Sequence, residues 1–113
     1  MDCIFCKIVA GEIAADILYQ DERVIAFPDI NPVAPTHLLI IPRKHIPSLA
    51  HLSEAESSLM SDMVNAANQL ARRGGIAESG YRLVLNCGKE GGQGVPHLHM
   101  HLLGGRQLSP ALG

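Results

Sequence analysis

Three histidines alternate with apolar residues near the end of the sequence, at positions 97, 99 and 101. Strict alternation is the period of a β-strand, so residues 96–103 are predicted to form a strand with the three imidazoles on one face. Imidazole titrates near neutral pH and carries a nucleophilic nitrogen. The row is therefore suited to transferring protons or to attacking an electrophile.

Two chemistries fit this row. In one, the histidines bind a metal ion, which would require further ligands facing the row. In the other, the central His99 is a nucleophile, and its neighbours position it and transfer protons. The preceding loop, residues 87–94, contains four glycines and Gln93, and Asn86 comes just before it. These groups are better partners for a phosphate than for a metal ion.

The elements that position the row are predicted from patterns along the chain. A short helix spans residues 3–10, with Asp2 as its cap and Gly11 at its end. Residues 17–19 and 24–27 form an antiparallel hairpin, because two apolar runs flank a polar turn. A proline-stiffened loop follows, and the nearly continuous apolar run of residues 36–41 indicates a strand covered on both faces.

The longest predicted helix begins at a capping box formed by Ser53 and Glu56 and ends before Gly74. A further strand spans residues 81–86 and leads into the glycine loop. A hairpin, a strand, a long helix and a second hairpin in this order predict an α+β domain with a mainly antiparallel sheet. Residues 1–113 are expected to form one domain.

Composition excludes several functional classes. The 113 residues have a formal net charge of -2, which argues against binding to nucleic acid. We predict no membrane span and no secretory leader. Three cysteines do not indicate a disulfide framework, so a reducing cytoplasm is the expected location.

The histidine row resembles the His-φ-His-φ-His-φ-φ signature of the histidine triad (HIT) family, where φ is an apolar residue. The resemblance extends over essentially the whole chain and is closest to the Hint branch, the nucleoside phosphoramidases. The matching segments are Ile4-Phe5-x-Lys7-Ile8, Asp29-Ile30-Asn31-Pro32-x-Ala34-Pro35-Thr36-His37, Gly91-Gly92-Gln93 and Gly104-Gly105-Arg106.

This resemblance implies hydrolysis of purine nucleoside phosphoramidates, conjugates of AMP or GMP with an amine, through a nucleotidyl-histidine intermediate. It implies a five-stranded mainly antiparallel sheet with one long and one short helix, paired into a ten-stranded sheet in a homodimer. By position, His99 would be the nucleophile on the α-phosphorus. His97 and His101 would flank it, and His37 would be a fourth, orienting histidine.

The nucleotide-binding residues follow from the same resemblance. Asp29 would accept the ribose hydroxyls, and its carboxylate is suited to that role. Asn86 and Gln93 would hold phosphate oxygens. Gly94 stands where several relatives carry a serine, so one donor to the phosphate or the leaving group is missing. The purine base would be enclosed by Ile4, Phe5, Ile8, Phe27 and Ile30.

Cys3 and Cys6 form a Cys-x-x-Cys pair, which is either half of a zinc site or two small residues packed in a core. The resemblance implies that a structural zinc would be completed by His45 and His97. No cofactor is expected to be required for catalysis itself.

Two alternatives to phosphoramidate hydrolysis stay open at this point. A neighbouring branch of the same family hydrolyses dinucleoside polyphosphates. A purine-nucleotide-binding regulatory module with weak catalysis is the second alternative.

Overall fold

The computed structural model describes residues 3–112. Its first element is the predicted short helix, α1 (Ile4–Val9). Cys3 is the N-cap, and its Sγ accepts a hydrogen bond from the backbone N–H of Cys6. The predicted cap Asp2 lies outside the described residues. One cysteine of the Cys-x-x-Cys pair therefore caps the helix that contains the other.

Five strands form one antiparallel sheet. They are β1 (Tyr19–Gln20), β2 (Val24–Pro28), β3 (Thr36–Pro42), β4 (Tyr81–Leu85) and β5 (Met100–Gly104), in the spatial order β1-β2-β3-β5-β4. The architecture confirms the predicted α+β class and the mainly antiparallel sheet. Because β5 lies between β3 and β4, the histidine-bearing segment runs into the interior of the sheet and not along its edge.

The long helix α2 (Ser58–Arg73) is preceded by a 3₁₀ turn, Glu54–Glu56. The predicted capping box is present, but Ser53 and Glu56 cap this 3₁₀ turn and the α-helix begins five residues after Ser53. The face of α2 that packs on the sheet consists of Leu59, Met63, Ala66, Ala67, Leu70 and Ala71, all buried. Gly74 is the C-cap, as predicted.

The strand predicted for residues 96–103 is shorter than expected. β5 begins at Met100, so His97 and His99 precede it. The backbone N–H of His97 bonds to the carbonyl of Val95, which makes a tight turn, and the N–H of Leu98 bonds to the carbonyl of Ile46. Because the backbone of residues 97 and 98 bonds to Val95 and Ile46, the strand pairing with β3 and β4 starts only at Met100.

The sheet separates two apolar clusters. One cluster lies under α2, and the other contains Cys3, Phe5, Phe27 and Leu39 on the opposite side, beneath α1. Helix α1 therefore covers the face of the sheet that bears the histidines.

Within residues 3–112, no helix is long and apolar enough to cross a membrane.

Candidate functional site

A cavity of about 680 Å³ opens on the α1 side of the sheet. Its rim includes Ile30, which is 91% exposed, and its floor includes the rings of His99 and His101. A volume of this size suits a small-molecule ligand. The predicted site residues that line the cavity are Ile4, Phe5, Ile8, Phe27, Asp29, Ile30, Asn86, Gly94, His99 and His101.

One wall of the cavity is apolar and is built mainly by α1. Phe5 is buried and packs edge-on against Phe27, with the two ring centroids 5.7 Å apart, and against His99 at 5.3 Å. Ile4 and Ile8 lie on the same wall. All five residues predicted to enclose a base thus border one cavity, which offers a flat heterocycle an apolar surface beside the histidines.

Asp29 lies at the polar side of the cavity, on the loop after β2. Its Oδ1 accepts a hydrogen bond from the N–H of Asn31, and its Oδ2 lies 3.3 Å from Nε2 of His37. A carboxylate has about four acceptor positions, so these two contacts leave capacity for a ligand. The loop geometry holds the carboxylate still where a ligand hydroxyl would reach it.

His99 has one ring nitrogen engaged and the other available. Its Nδ1 lies 2.7 Å from the carbonyl oxygen of His97, which can only accept, so Nδ1 carries the proton. In the neutral ring, Nε2 then has the lone pair. No residue among 3–112 bonds to that nitrogen, and the ring borders the cavity. His99 is therefore prepared as a nucleophile.

A second hydrogen-bond chain fixes the tautomers of His37 and His101. The backbone N–H of Val33 donates to Nδ1 of His37 at 3.1 Å, so the proton of neutral His37 is on Nε2. That Nε2–H faces Nδ1 of His101 at 2.9 Å. Nδ1 of His101 accepts, and its proton is therefore on Nε2. His101 consequently presents an N–H donor beside the ring of His99.

His101 makes the stability of the fold sensitive to acid. Burial lowers the pKa of His101 below its ordinary value of 6.5, and the neighbouring His99 and His37 lower it further. Between the lowered pKa and 6.5 the unfolded chain binds more protons than the folded one, so the free energy of unfolding should fall as the pH drops through this range. Urea denaturation between pH 8 and pH 5 measures the slope.

The matched variants for this measurement are His101→Asn and His51→Asn. The first should reduce the slope, whereas the second should leave it unchanged because His51 is exposed. A free energy of unfolding that rises on acidification from pH 6.5 would contradict the assignment.

The glycine loop borders the cavity through Gly92, Gly94 and the adjoining Asn86. Nδ2 of Asn86 donates to the carbonyl of Gly91. Gln93, predicted to hold phosphate oxygens, does not line the cavity. Its Nε2 donates to the carbonyls of Pro47 and Val95, and its Oε1 accepts from the N–H of Gly88. The Gln93 side chain therefore ties the loop together instead of facing the cavity.

His97 is separated from the other two histidines of the row. It is fully buried and does not line the cavity, so the three imidazoles do not share one space. Its Nε2 donates to the carbonyl of Pro42 at 2.9 Å, which leaves the lone pair on Nδ1. That Nδ1 lies 3.3 Å from Sγ of Cys3, 3.6 Å from Sγ of Cys6 and 3.2 Å from Nδ1 of His45.

This group of four side chains fits a tetrahedral metal ion. Sγ of Cys6 lies 3.3 Å from Nδ1 of His45, and all four ligand atoms are within 4.8 Å of one another. Zinc bonds of about 2.0–2.3 Å place tetrahedral ligands about 3.3–3.8 Å apart, and the four distances of 3.2–3.6 Å lie close to that range. Burial lowers the pKa of His97, which keeps its Nδ1 lone pair available for a metal ion.

Several residues that line the cavity were missed by the sequence reasoning. The segment Ile13, Ala14, Ala15 and Asp16 follows α1 without regular structure and closes the far end of the cavity. It has no periodic pattern, so only the fold could place it. Others are the neighbours of predicted residues: Pro28, Asn31, Leu39, Gly92 and Val95.

Comparisons with known proteins identify one family. A family model described as the HIT domain matches residues 10–108. The chain is 50% identical over 111 residues to the purine nucleoside phosphoramidase of Escherichia coli strain K12, covering 98% of this chain and 93% of that protein.

Solved structures agree with the sequence matches. A HIT family hydrolase from Legionella pneumophila superposes with a TM-score of 0.96 at 48% identity, covering 99% of this chain and 100% of that one. A histidine triad protein from Clostridium difficile gives a TM-score of 0.96 at 46% identity, covering 99% and 97%. Both structural matches extend over nearly the whole chain, so they cover the segments that line the cavity and carry the histidine row.

Proposed function

The chain belongs to the HIT family, and from this membership we propose that it hydrolyses purine nucleoside phosphoramidates, cleaving the P–N bond between a nucleotide and an amine. The observation that carries the proposal is His99, whose Nδ1 proton is held by a carbonyl and whose Nε2 is left for attack in the cavity. The relative with 50% identity bears the corresponding activity in its name.

The nucleotide binds with its base against the apolar wall formed by α1, Phe27 and Ile30. Asp29 accepts hydrogen bonds from the ribose hydroxyls, for which a carboxylate is a strong acceptor. The α-phosphate lies between His99 and the glycine loop, where backbone N–H groups of the loop stabilise its negative charge. This order places the reacting phosphorus beside the nucleophile.

In the first step, the Nε2 lone pair of His99 forms a bond to the α-phosphorus while the P–N bond to the amine breaks. The amine leaves with the Nε2 proton of His101, whose ring becomes negative as the His99 ring becomes positive. The hydrogen bond that Nδ1 of His101 accepts from His37 at 2.9 Å stabilises this charge until the second step returns the proton. The carbonyl of His97 stabilises the positive charge on the His99 ring through its Nδ1–H.

In the second step, water attacks the phosphorus and the His99–phosphorus bond breaks. The water returns one proton to His101, so the two steps consume one water and release one amine and one nucleoside monophosphate. The histidine nucleophile divides a difficult hydrolysis into two displacements, each with a good leaving group.

A comparison of substrates tests the proposal. Adenosine phosphoramidate should release AMP with a kcat/KM at least about 100-fold above that for a diadenosine polyphosphate, because the two share the AMP group and differ in the leaving group, an amine or a nucleotide polyphosphate. A higher rate on the diadenosine polyphosphate would contradict P–N cleavage and support the neighbouring branch. Tight AMP binding with negligible turnover on both substrates would instead indicate a binding module.

We also propose that Cys3, Cys6, His45 and His97 hold a structural zinc ion. Their four donor atoms lie within 4.8 Å of one another, and two thiolates with two imidazoles are a common zinc ligand set. A bound zinc ion would cross-link α1 to the sheet, and it would take no part in the hydrolysis. One zinc ion per chain in purified protein is the expected stoichiometry.

A homodimer with a ten-stranded sheet is supported by the exposed edge of β4. This strand pairs only with β5 among residues 3–112, and all five of its residues are half-buried. Unpaired strand edges favour pairing with another chain, and a two-fold axis would bring two copies of β4 together. A sedimentation mass equal to one chain would contradict this assembly.

We place the reaction in the cytoplasm. The three cysteines are free thiols, and a reducing compartment such as the cytoplasm keeps thiols in that state.

A further inference from the structure

Helix α1 connects the metal-binding cluster to the nucleotide cavity. Its N-cap Cys3 and its third residue Cys6 contribute sulfur atoms to the cluster, while Ile4, Phe5 and Ile8 line the cavity. The two sets of residues alternate along one short segment. Any movement of α1 relative to the sheet would therefore change both sites together.

The attachment of α1 to the rest of the chain is limited. A helix of six residues is too short to be stable alone. Within residues 3–112, its polar contacts with the sheet side run through the two sulfur atoms, to His97 from Cys3 and to His45 and His97 from Cys6. The remaining attachment is apolar packing, chiefly by the buried Phe5.

The metal-binding cluster is also connected to His99 through the backbone of His97. Nδ1 of His97 belongs to the cluster, and the carbonyl of the same residue accepts the Nδ1 proton of His99 at 2.7 Å. Phe5 packs edge-on against both rings, with centroid distances of 5.8 Å to His97 and 5.3 Å to His99. Phe5 of the apolar cavity wall and the His99 ring therefore both contact His97, which is fully buried.

We propose that Cys3 and Cys6 are positioning residues for the nucleotide, and that the metal ion they hold couples to nucleotide affinity by fixing α1 against His97. This inference rests on the proposed nucleotide function of the cavity. It also has a reciprocal consequence. If the metal ion strengthens nucleotide binding, bound nucleotide must strengthen metal binding by the same factor.

The expected size of the coupling is about 10-fold, within the range that linked sites in proteins show. Metal-loaded protein should bind AMP about 10-fold more tightly than protein stripped by a chelator. Isothermal titration calorimetry with AMP measures both affinities, and neither measurement depends on turnover.

Four variants refine the test. Cys6→Ser should lose the metal ion and bind AMP about as weakly as the stripped protein. Cys6→His keeps a metal ligand and should restore most of the affinity. His51→Asn is the control, because His51 is exposed and belongs neither to the cluster nor to the cavity lining. Cys3→Ser should behave as Cys6→Ser does.

The reciprocal measurement uses only folded, loaded protein, so it stands even if the stripped protein unfolds. Saturating AMP should slow the transfer of zinc to a chromogenic chelator about 10-fold. In the cobalt-loaded protein, AMP should shift the visible absorption bands of the Co²⁺ ion, because α1 and His97 carry three of its four ligands.

The outcomes separate the two proposals. Equal AMP affinities with and without metal, together with an unchanged rate of zinc release, would overturn the coupling and leave the proposed function intact. Failure of AMP to bind the loaded protein would overturn both. Metal-dependent AMP binding without any phosphoramidate hydrolysis would support the coupling and overturn the proposed reaction.

Discussion

Replacing His99 with alanine should abolish the release of AMP from adenosine phosphoramidate, with a loss of about 10⁴-fold or more in kcat. The imidazole makes the bond to phosphorus, so its removal eliminates the covalent intermediate and leaves only direct attack by water. The carbonyl of His97 would keep its position but would hold no nucleophile. Single-turnover measurements with the purified variant give the residual rate.

The matched control is His51→Ala, the same substitution at an exposed histidine whose ring contacts Ser48 at 2.7 Å. It should leave kcat unchanged. AMP affinity in the His99→Ala variant should stay within about 10-fold of the original, because the base wall and Asp29 are intact. Turnover by His99→Ala at an undiminished rate would remove His99 from its role.

The second large effect is expected at Gly91. A Cβ built at this position lies 2.3 Å from the carbonyl oxygen of Cys87 and 2.9 Å from its backbone nitrogen. These are backbone atoms that no rotamer change can move, so Gly91→Ala must displace the loop. We expect a loss of about 1–3 kcal/mol in the free energy of unfolding and about 100-fold in kcat/KM, since displacement of the loop misplaces the phosphate.

Gly94→Ala provides the comparison within the same loop. A Cβ at Gly94 meets no atom within 4 Å, and the residue is not in the left-handed region. This variant should therefore keep its stability and most of its activity, although Gly94 borders the cavity. Thermal melts and steady-state kinetics on both variants decide the matter. Equal effects of the two substitutions would show that the close approach to Cys87 is unimportant.

This contrast also separates two kinds of glycine that look alike in the sequence. Gly91 is required by the close approach of two backbone segments, whereas nothing in the fold requires Gly94. The absence of a side chain at Gly94 therefore affects the lining of the cavity and not the packing of the loop. Gly94→Ser adds a hydroxyl donor at this position, and its kinetics on substrates with different amines show the effect of that donor on the choice of leaving group.

Many residues of the candidate site could be named from the sequence because they lie in segments that resemble the family. The structure brings Ile4, Phe5, Ile8 and Asp29 to one cavity, and their roles toward the base and the ribose stay predictions. The segment of residues 13–16 could not be predicted, because it has no periodicity and reaches the cavity only through the path of the chain after α1. Gln93 has the chemistry of a phosphate ligand, but its amide is used by the backbone of its own loop.

The amino-acid sequence alone determined the α+β class, the two helices, the strands and the candidate nucleophile, because periodicity and capping are local properties of the chain. Only the tertiary structure decided how the histidines divide their work. The bond from Leu98 to Ile46 delays the start of β5, and His97 consequently faces the two cysteines and His45. The pairing of β3 with β5 then brings His37 to His101 across 64 residues of sequence. Alternation specifies a face of a strand, but hydrogen bonds with distant segments decide where the strand begins and which residues meet that face.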